Sequence, residues 1–140
     1  MNRREGRTQP ASPADVRARL GRAHQYLEVA QVASSDGDDS THRDAAAALA
    51  VLAGIAAADA ICGHVLGRYA RGQDHGQAVA LLSEVRAAKP SGPTALRKLL
   101  DAKDGVHYGT TALTPDKARS LLRASETLVS LADVISREQR

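Results

Sequence analysis

The chain has 140 residues, which suits one domain with one hydrophobic core. It contains no Trp or Phe and only three Tyr, so its core must be aliphatic, and the composition argues against a surface on which nucleic-acid bases stack. The single cysteine, Cys62, excludes a disulfide within the chain and favours a reducing cytoplasm.

The net charge of +3 is concentrated at the N-terminus. The first 22 residues contain six Arg against Glu5 and Asp15, so the rest of the chain is about neutral. We therefore expect residues 1–11 to form a disordered Arg-rich arm and residues 12–140 to form one domain. An arm of this kind can also contact RNA, DNA or an acidic partner, and this alternative stays open. The stretch "MNRREGRTQPASP" has no apolar segment of the kind that signal peptides carry.

The first two predicted helices have clear boundaries. In "SPAD", Ser12 is a helix N-cap and the following Pro occupies the first helical position, and apolar residues then recur at helical spacing to about Ser34. A second helix is predicted from Ser40 or Thr41 to about Leu66. It is apolar almost all round, as expected of the central helix of a soluble bundle. Because it consists mostly of Ala and contains a carboxylate, we interpret it as buried in protein and expect no membrane association.

Three more helices complete the predicted fold. Asp74 can cap a third helix that ends near Lys89, and "KPSGP" then breaks the chain. A fourth helix is expected from about Thr94 to Tyr108, and a fifth begins at Thr114 and runs to the basic end "SREQR". No segment alternates with period two. The sequence predicts an all-α fold, an antiparallel bundle of about five helices.

Most signatures of enzymes and metal sites are missing from the sequence. There is no Gly-rich phosphate loop, HExxH, CxxC or nucleophile elbow, and no two of the five His have the spacing of a ligand pair. The acidic loop "SSDGDDS" has no Glu at the bidentate position that an EF-hand needs. We therefore expect neither a metal nor a cofactor.

Asp59 is the unusual residue of the second helix, because it lies among Ala and Ile. A carboxylate in such surroundings must be paired, be protonated or point to an edge of the bundle. It could bond to a neighbouring helix or loop as part of the structure, or it could lie near a functional cleft, and both alternatives stay open.

A polar strip occurs at the end of the fourth helix. The apolar stripe of this helix continues at helical spacing onto Lys103 and His107, which are four residues apart and so share one side, whereas Asp104 points elsewhere. A lysine beside an imidazole lowers the histidine pKa and leaves a neutral ring that can act as a base. In the alternative interpretation, Lys103 extends along the surface to reach solvent and His107 caps the helix end.

Three stretches of the chain resemble the HEPN-like family of helical bundles, whose name refers to nucleotide binding in higher eukaryotes and prokaryotes. They cover roughly residues 12–136 and are "AAALAVLAGIAAADAICGHVLG", "GRYARGQDHGQAVALLSEV" and "LLDAKDGVHYGTTALTPDKARSLLRASETLVSLA". The first is similar to the small-residue second helix of the family. The second is similar to its glycine, short loop and His before a Leu pair, and the third to its last segment, in which an Arg precedes a His or Tyr.

The resemblance implies a site in that last segment. In nuclease members an Arg and a His act together across a homodimer to cleave RNA without metal, the 2′-hydroxyl attacking the adjacent phosphate. By this resemblance Lys103 takes the place of the Arg, Asp104 that of the polar follower, and His107 or Tyr108 that of the His. Two departures count against activity: lysine lacks the bidentate phosphate grip of a guanidinium, and the gap to His107 is one residue short. We interpret His75, which follows an Arg at acceptable spacing but in another segment, as a residue of a helix start.

The resulting hypothesis is a cytoplasmic bacterial HEPN-like protein of a toxin–antitoxin or defence setting. It would be an RNA-processing component with an altered or inactive metal-independent RNase site, and whether it is an enzyme stays open. Expected partners are a second copy in a homodimer, RNA or a nucleotide, and a nucleotidyltransferase or regulator protein. The alternatives are a non-catalytic module that binds a protein or small ligand, and a generic helical protein whose Arg-rich arm contacts nucleic acid.

Overall fold

Five α-helices make up most of the chain in the computed structural model. The structure describes residues 7–35, 40–71, 74–109 and 113–138, without the side chains of Ser40, Thr41 and Tyr108. The elements in chain order are β1 Thr8–Pro10, α1 Pro13–Ser34, α2 Ser40–Leu66, β2 Arg68–Ala70, α3 His75–Leu82, a 3₁₀ turn Arg86–Ala88, α4 Ser91–Tyr108 and α5 Pro115–Arg137.

The predicted helix starts at Ser12, Asp74 and Thr114 are confirmed. The Ser12 hydroxyl accepts a hydrogen bond from the backbone N–H of Asp15, and the Asp15 carboxylate accepts one from the N–H of Ser12. Asp74 and Thr114 likewise accept hydrogen bonds from backbone N–H groups three residues further on. These contacts satisfy N–H groups that have no acceptor within the helix.

The long helix α2 lies at the centre of the bundle and packs against α1, α4 and α5. Helix α1 runs antiparallel to α2, since Val16 lies beside Gly63 and Arg19 lies beside Asp59. Helix α4 is also antiparallel to α2, since Leu99 contacts Gly54 and Leu113, after the end of α4, bonds to Asp44 near the start of α2. Helix α5 runs parallel to α2, because Leu128 lies beside Gly54 and Glu138 lies beside His64. The core is aliphatic, and its fully buried side chains include Val51, Ile61, Leu82, Leu99, Leu121 and Leu128. The prediction of an all-α bundle is confirmed.

The structure contains a two-stranded sheet that the sequence analysis did not predict. Strand β1 pairs antiparallel with β2, with Thr8 opposite Ala70. This corrects the expected disorder of residues 1–11 for residues 8–10, while residues 1–6 lie outside the described part of the chain. Three-residue strands are too short to show alternation, and their pairing depends on a contact sixty residues away. Gly67, with φ of +74°, ends α2 and turns the chain into β2.

The prediction that α3 runs to about Lys89 is wrong. The helix ends at Leu82, the Ser83 hydroxyl donates to the carbonyl of Val79, and Val85 is extended. The following 3₁₀ turn lets Val85 and Ala88, both almost fully buried, reach the core. Tertiary burial overrides the local helical pattern here.

Helix α4 begins at Ser91, three residues before the predicted start. Pro93 lies in its first turn, where the missing N–H of a proline removes no hydrogen bond. The predicted break at "KPSGP" is therefore shorter than expected, because its last three residues belong to the helix.

One helix of the described residues, His42–Leu66, is long and apolar enough to cross a membrane. Of its most apolar stretch of 18 residues, 67% is buried inside the protein. A helix buried to this extent fits the predicted central position in the bundle.

Candidate functional site

The polar strip of Lys103, Asp104 and His107 lies on the last two turns of α4. Helix α4 is uninterrupted to Tyr108, so Lys103 and His107 lie on one side of it, as expected. Both are half-buried, whereas Asp104 is exposed. Within the described residues, neither Lys103 nor Asp104 forms an ion pair or a side-chain hydrogen bond. The Lys103 charge is therefore not neutralised by Asp104 or by another described carboxylate.

The imidazole of His107 is oriented with its Nε2 atom away from solvent. This nitrogen has almost no accessible surface. A general base must reach the proton that it removes at hydrogen-bond distance. With Nε2 covered, His107 does not meet that requirement through this atom in the conformation that the structure shows.

The strip lies at the same end of the bundle as the start of α2. Leu113, in the segment after α4, donates its N–H to the Asp44 carboxylate at 3.1 Å. Arg43 donates to the carbonyl of Leu113, also at 3.1 Å. These two bonds tie the segment that follows the strip to the first turns of α2. They also bring Arg43 to this end of the bundle, a cation that the sequence analysis did not identify.

The other residues of the predicted site either lie away from the strip or have side chains outside the described part of the chain. The side chain of Tyr108 lies outside the described residues. His75 is the first residue of α3, as predicted, and is half-buried. Helix α3 packs against the second half of α2, because Ala78 lines a cavity together with Cys62. The strip is at the opposite end, beside the start of α2.

Asp59 faces α1 and is paired with Arg19. The Arg19 Nη1 atom lies 3.9 Å from the Asp59 carboxylate, whose side chain is 17% exposed. Arg19 is held from its other side by Tyr69 of β2: its guanidinium lies 5.0 Å from the ring centroid and donates to the phenolic oxygen at 3.4 Å. The pair at 3.9 Å is too long for a hydrogen bond. Asp59 therefore has a charged neighbour but makes no hydrogen bond to any described residue.

Burial dominates the electrostatics around Asp59. It raises the pKa of the Asp59 carboxyl to about 7, and the charge of Arg19 opposes this shift only in part. One turn along α2, burial also raises the pKa of the Cys62 thiol to about 12, with a smaller contribution from Asp59. A thiol with such a pKa is protonated at neutral pH and is a poor nucleophile. Asp59 can thus exchange a proton near neutral pH, but Cys62 does not offer it a reactive partner.

Arg19 and Tyr69 are site residues that the sequence analysis missed. Arg19 could have been found, because it follows Val16 by three residues and precedes Ala23 by four, so it lies near the buried stripe of α1. An arginine at such a position needs an anionic or aromatic neighbour. Tyr69 gave no comparable signal, since its place depends on β2.

No group of three or more His, Cys, Asp or Glu with the geometry of a metal site occurs in the described ranges. Comparison with known protein families and with curated proteins finds no match for this chain.

Proposed function

We propose that the protein is a cytoplasmic bacterial HEPN-like bundle of a toxin–antitoxin or defence setting, whose α4 strip binds RNA phosphate without cleaving it. The helical bundle is compatible with this family, and the resemblance of the third sequence segment supplies RNA as the ligand class. A homodimer, a nucleotide ligand and a nucleotidyltransferase or regulator as partner remain part of the proposal.

The observation that carries the loss of cleavage is the burial of His107 Nε2. In the RNase reaction of the family that the chain resembles, a base removes the proton of the 2′-hydroxyl, which requires an accessible nitrogen, and the burial of Nε2 excludes one of the two ring nitrogens. Lysine in place of arginine acts in the same direction, because an ammonium holds a phosphate as a point charge without the bidentate geometry of a guanidinium. Both features weaken catalysis more than they weaken binding.

Binding is supported by the state of Lys103. Its half-buried side chain leaves the helix on the side of His107, and no described carboxylate pairs with it. An unneutralised ammonium is attracted to a phosphate backbone, and the attraction weakens with salt. Lys103 is therefore the proposed phosphate ligand of the strip.

The test measures binding and cleavage of the same single-stranded RNA in EDTA. We expect the wild-type protein to bind the RNA in a fluorescence-anisotropy titration and to leave it intact on a gel. Lys103→Ala should weaken binding and lower the slope of log affinity against log salt by about 1, as for one lost phosphate contact. Arg97→Ala is the matched control, since Arg97 is an exposed cation of the same helix away from the strip.

Two results would decide against this function. Metal-independent cutting that disappears in both Lys103→Ala and His107→Ala would show an active nuclease. RNA binding that is absent, or equally weakened by Arg97→Ala, would leave the non-catalytic protein- or ligand-binding module as the better description.

A further inference from the structure

An open cleft of about 320 Å³ lies between α4 and α5, separate from the strip. The stripe that leads to Lys103 and His107 includes Leu96 and Leu100, which line a cavity with α2 residues. The cleft is lined by a different side of α4, which carries Lys98, and by α5. Its volume falls in the range of small-molecule sites.

Two cations line this cleft, Lys98 from α4 and Arg123 from α5. Neither forms an ion pair or a side-chain hydrogen bond with any residue that the structure describes. The acidic residues nearest in sequence do not line the cleft: Asp101 is exposed on α4, and Glu126 accepts a hydrogen bond from Gln31 of α1 at 2.9 Å. The cleft therefore holds two positive charges that form no ion pair with a described carboxylate, although Glu126 lines an adjoining pocket together with Arg123.

Four hydroxyl groups accompany these cations, those of Ser91, Thr94, Ser120 and Thr127. Thr94 donates to the carbonyl of Pro90, the residue before α4, and Thr127 donates to the carbonyl of Arg123, both at 3.0 Å. Ser91 and Ser120 make no side-chain hydrogen bond to the described residues, so their hydroxyls can donate to a ligand. The cleft thus offers two cations and two hydroxyl donors, which is the chemistry that recognises a phosphate group.

Small side chains keep the floor of the cleft open. Ala95 and Ala124 are buried there, one from each helix, and lie between the polar groups of the two walls. None of the lining residues is aromatic, so the cleft has no ring on which a base could stack. The recognised part of a ligand is then its anionic group.

We propose that the cleft between α4 and α5 binds a small phosphate-bearing ligand, a phosphomonoester or a diphosphate, through Lys98, Arg123 and the hydroxyls of Ser91 and Ser120. Lys98 and Arg123 supply charge from opposite walls, and the guanidinium of Arg123 can hold two phosphate oxygens at once. This site is independent of RNA binding at the strip.

Isothermal titration with inorganic pyrophosphate tests the proposal. The wild-type protein should give a saturable isotherm, and Arg123→Gln and Lys98→Gln should each weaken binding at least tenfold. Arg97→Gln, which removes a neighbouring exposed cation of α4 that does not line the cleft, should change the affinity less than twofold. Lys103→Ala should also leave it unchanged, which separates this site from the strip. Circular dichroism confirms the fold of each variant, and all four substituted side chains are partly or fully exposed.

The absence of saturable pyrophosphate binding to the folded wild-type protein would overturn the proposal. So would an equal loss in Arg97→Gln, because it would show general attraction to positive charge. A third contrary result combines two measurements: the wild-type protein does not bind pyrophosphate, and Arg123→Gln loses RNA binding. The cleft would then be part of a nucleic-acid surface.

Discussion

Asp59 is a carboxyl group whose charge is poorly supported by its surroundings. It lies largely buried on α2, and its contact with Arg19 is an ion pair at 3.9 Å without a hydrogen bond. Since desolvation outweighs this pairing, the pKa of Asp59 rises to about 7. The residue is thus protonated at mildly acidic pH in the folded protein, where an unfolded chain would already have lost that proton.

The raised pKa predicts that Asp59 destabilises the protein as pH increases. The folded state holds the proton more tightly than the unfolded state, so stability falls between about pH 4, the unfolded pKa, and pH 7, the folded one. Asp59→Asn removes this titration and keeps the shape of the side chain. Relative to wild type, its free energy of unfolding in urea should improve by about 4 kcal/mol between about pH 4 and about pH 8.

Arg19→Gln provides the matched variant for this prediction. It removes a cation that opposes the shift, so the folded pKa of Asp59 should rise further and the loss of stability should extend to higher pH. If Asp59→Asn and wild type keep a constant difference across the pH range, the carboxyl group is better solvated than its position indicates.

At the scale of helices, Gly54 sets how closely α2, α4 and α5 approach one another. A Cβ atom at this position would overlap the Leu99 side chain of α4 and lie 3.3 Å from Leu128 of α5. Both leucines are fully buried, so they have little room to move. The glycine therefore permits a three-helix contact that alanine would obstruct.

Gly54→Ala should reduce the free energy of unfolding by about 1–3 kcal/mol, as for an overpacked core. This loss outweighs the gain of about 1 kcal/mol that alanine brings to a helix interior. Gly21→Ala is the control: Gly21 lies inside α1, and an added Cβ has nothing within 4 Å. It should stabilise the protein by about 0.5–1 kcal/mol in the same urea titration. Stabilisation by both substitutions would show that α2 and α4 are not closely packed at Gly54.

The elements that the sequence predicted well are those with a local signal. Ser12 and Thr114 are each followed by proline and then a carboxylate, and both start helices as expected. The end of α3 at Leu82 had no such signal, because the helical spacing continues through Val85. The chain leaves the helix there in order to bury Val85 and Ala88, which depends on α4 and α5.

The same distinction holds for the candidate sites of the whole molecule. That Lys103 and His107 share a side follows from their spacing within one helix. The burial of His107 Nε2, the contact of Arg19 with Asp59 and the cleft of Lys98 and Arg123 each join different elements. The near-neutral charge outside the N-terminus also concealed the cleft, because a sum over the sequence does not show which charges lie together.

The packing of the whole molecule around α2 predicts one cooperative unfolding transition. Buried residues from α1 to α5 and from β2 form a single hydrophobic cluster, so no helix keeps its buried surface when α2 unfolds. Far-UV circular dichroism follows the helices. Tyrosine fluorescence is not masked by tryptophan, because the sequence contains no Trp, and it follows Tyr26 on α1, Tyr69 on β2 and Tyr108 on α4. The two urea curves should coincide, and Gly54→Ala should shift both midpoints equally. A tyrosine transition that precedes the loss of helix would instead mean that β2 with α1, or the end of α4, unfolds as a separate unit.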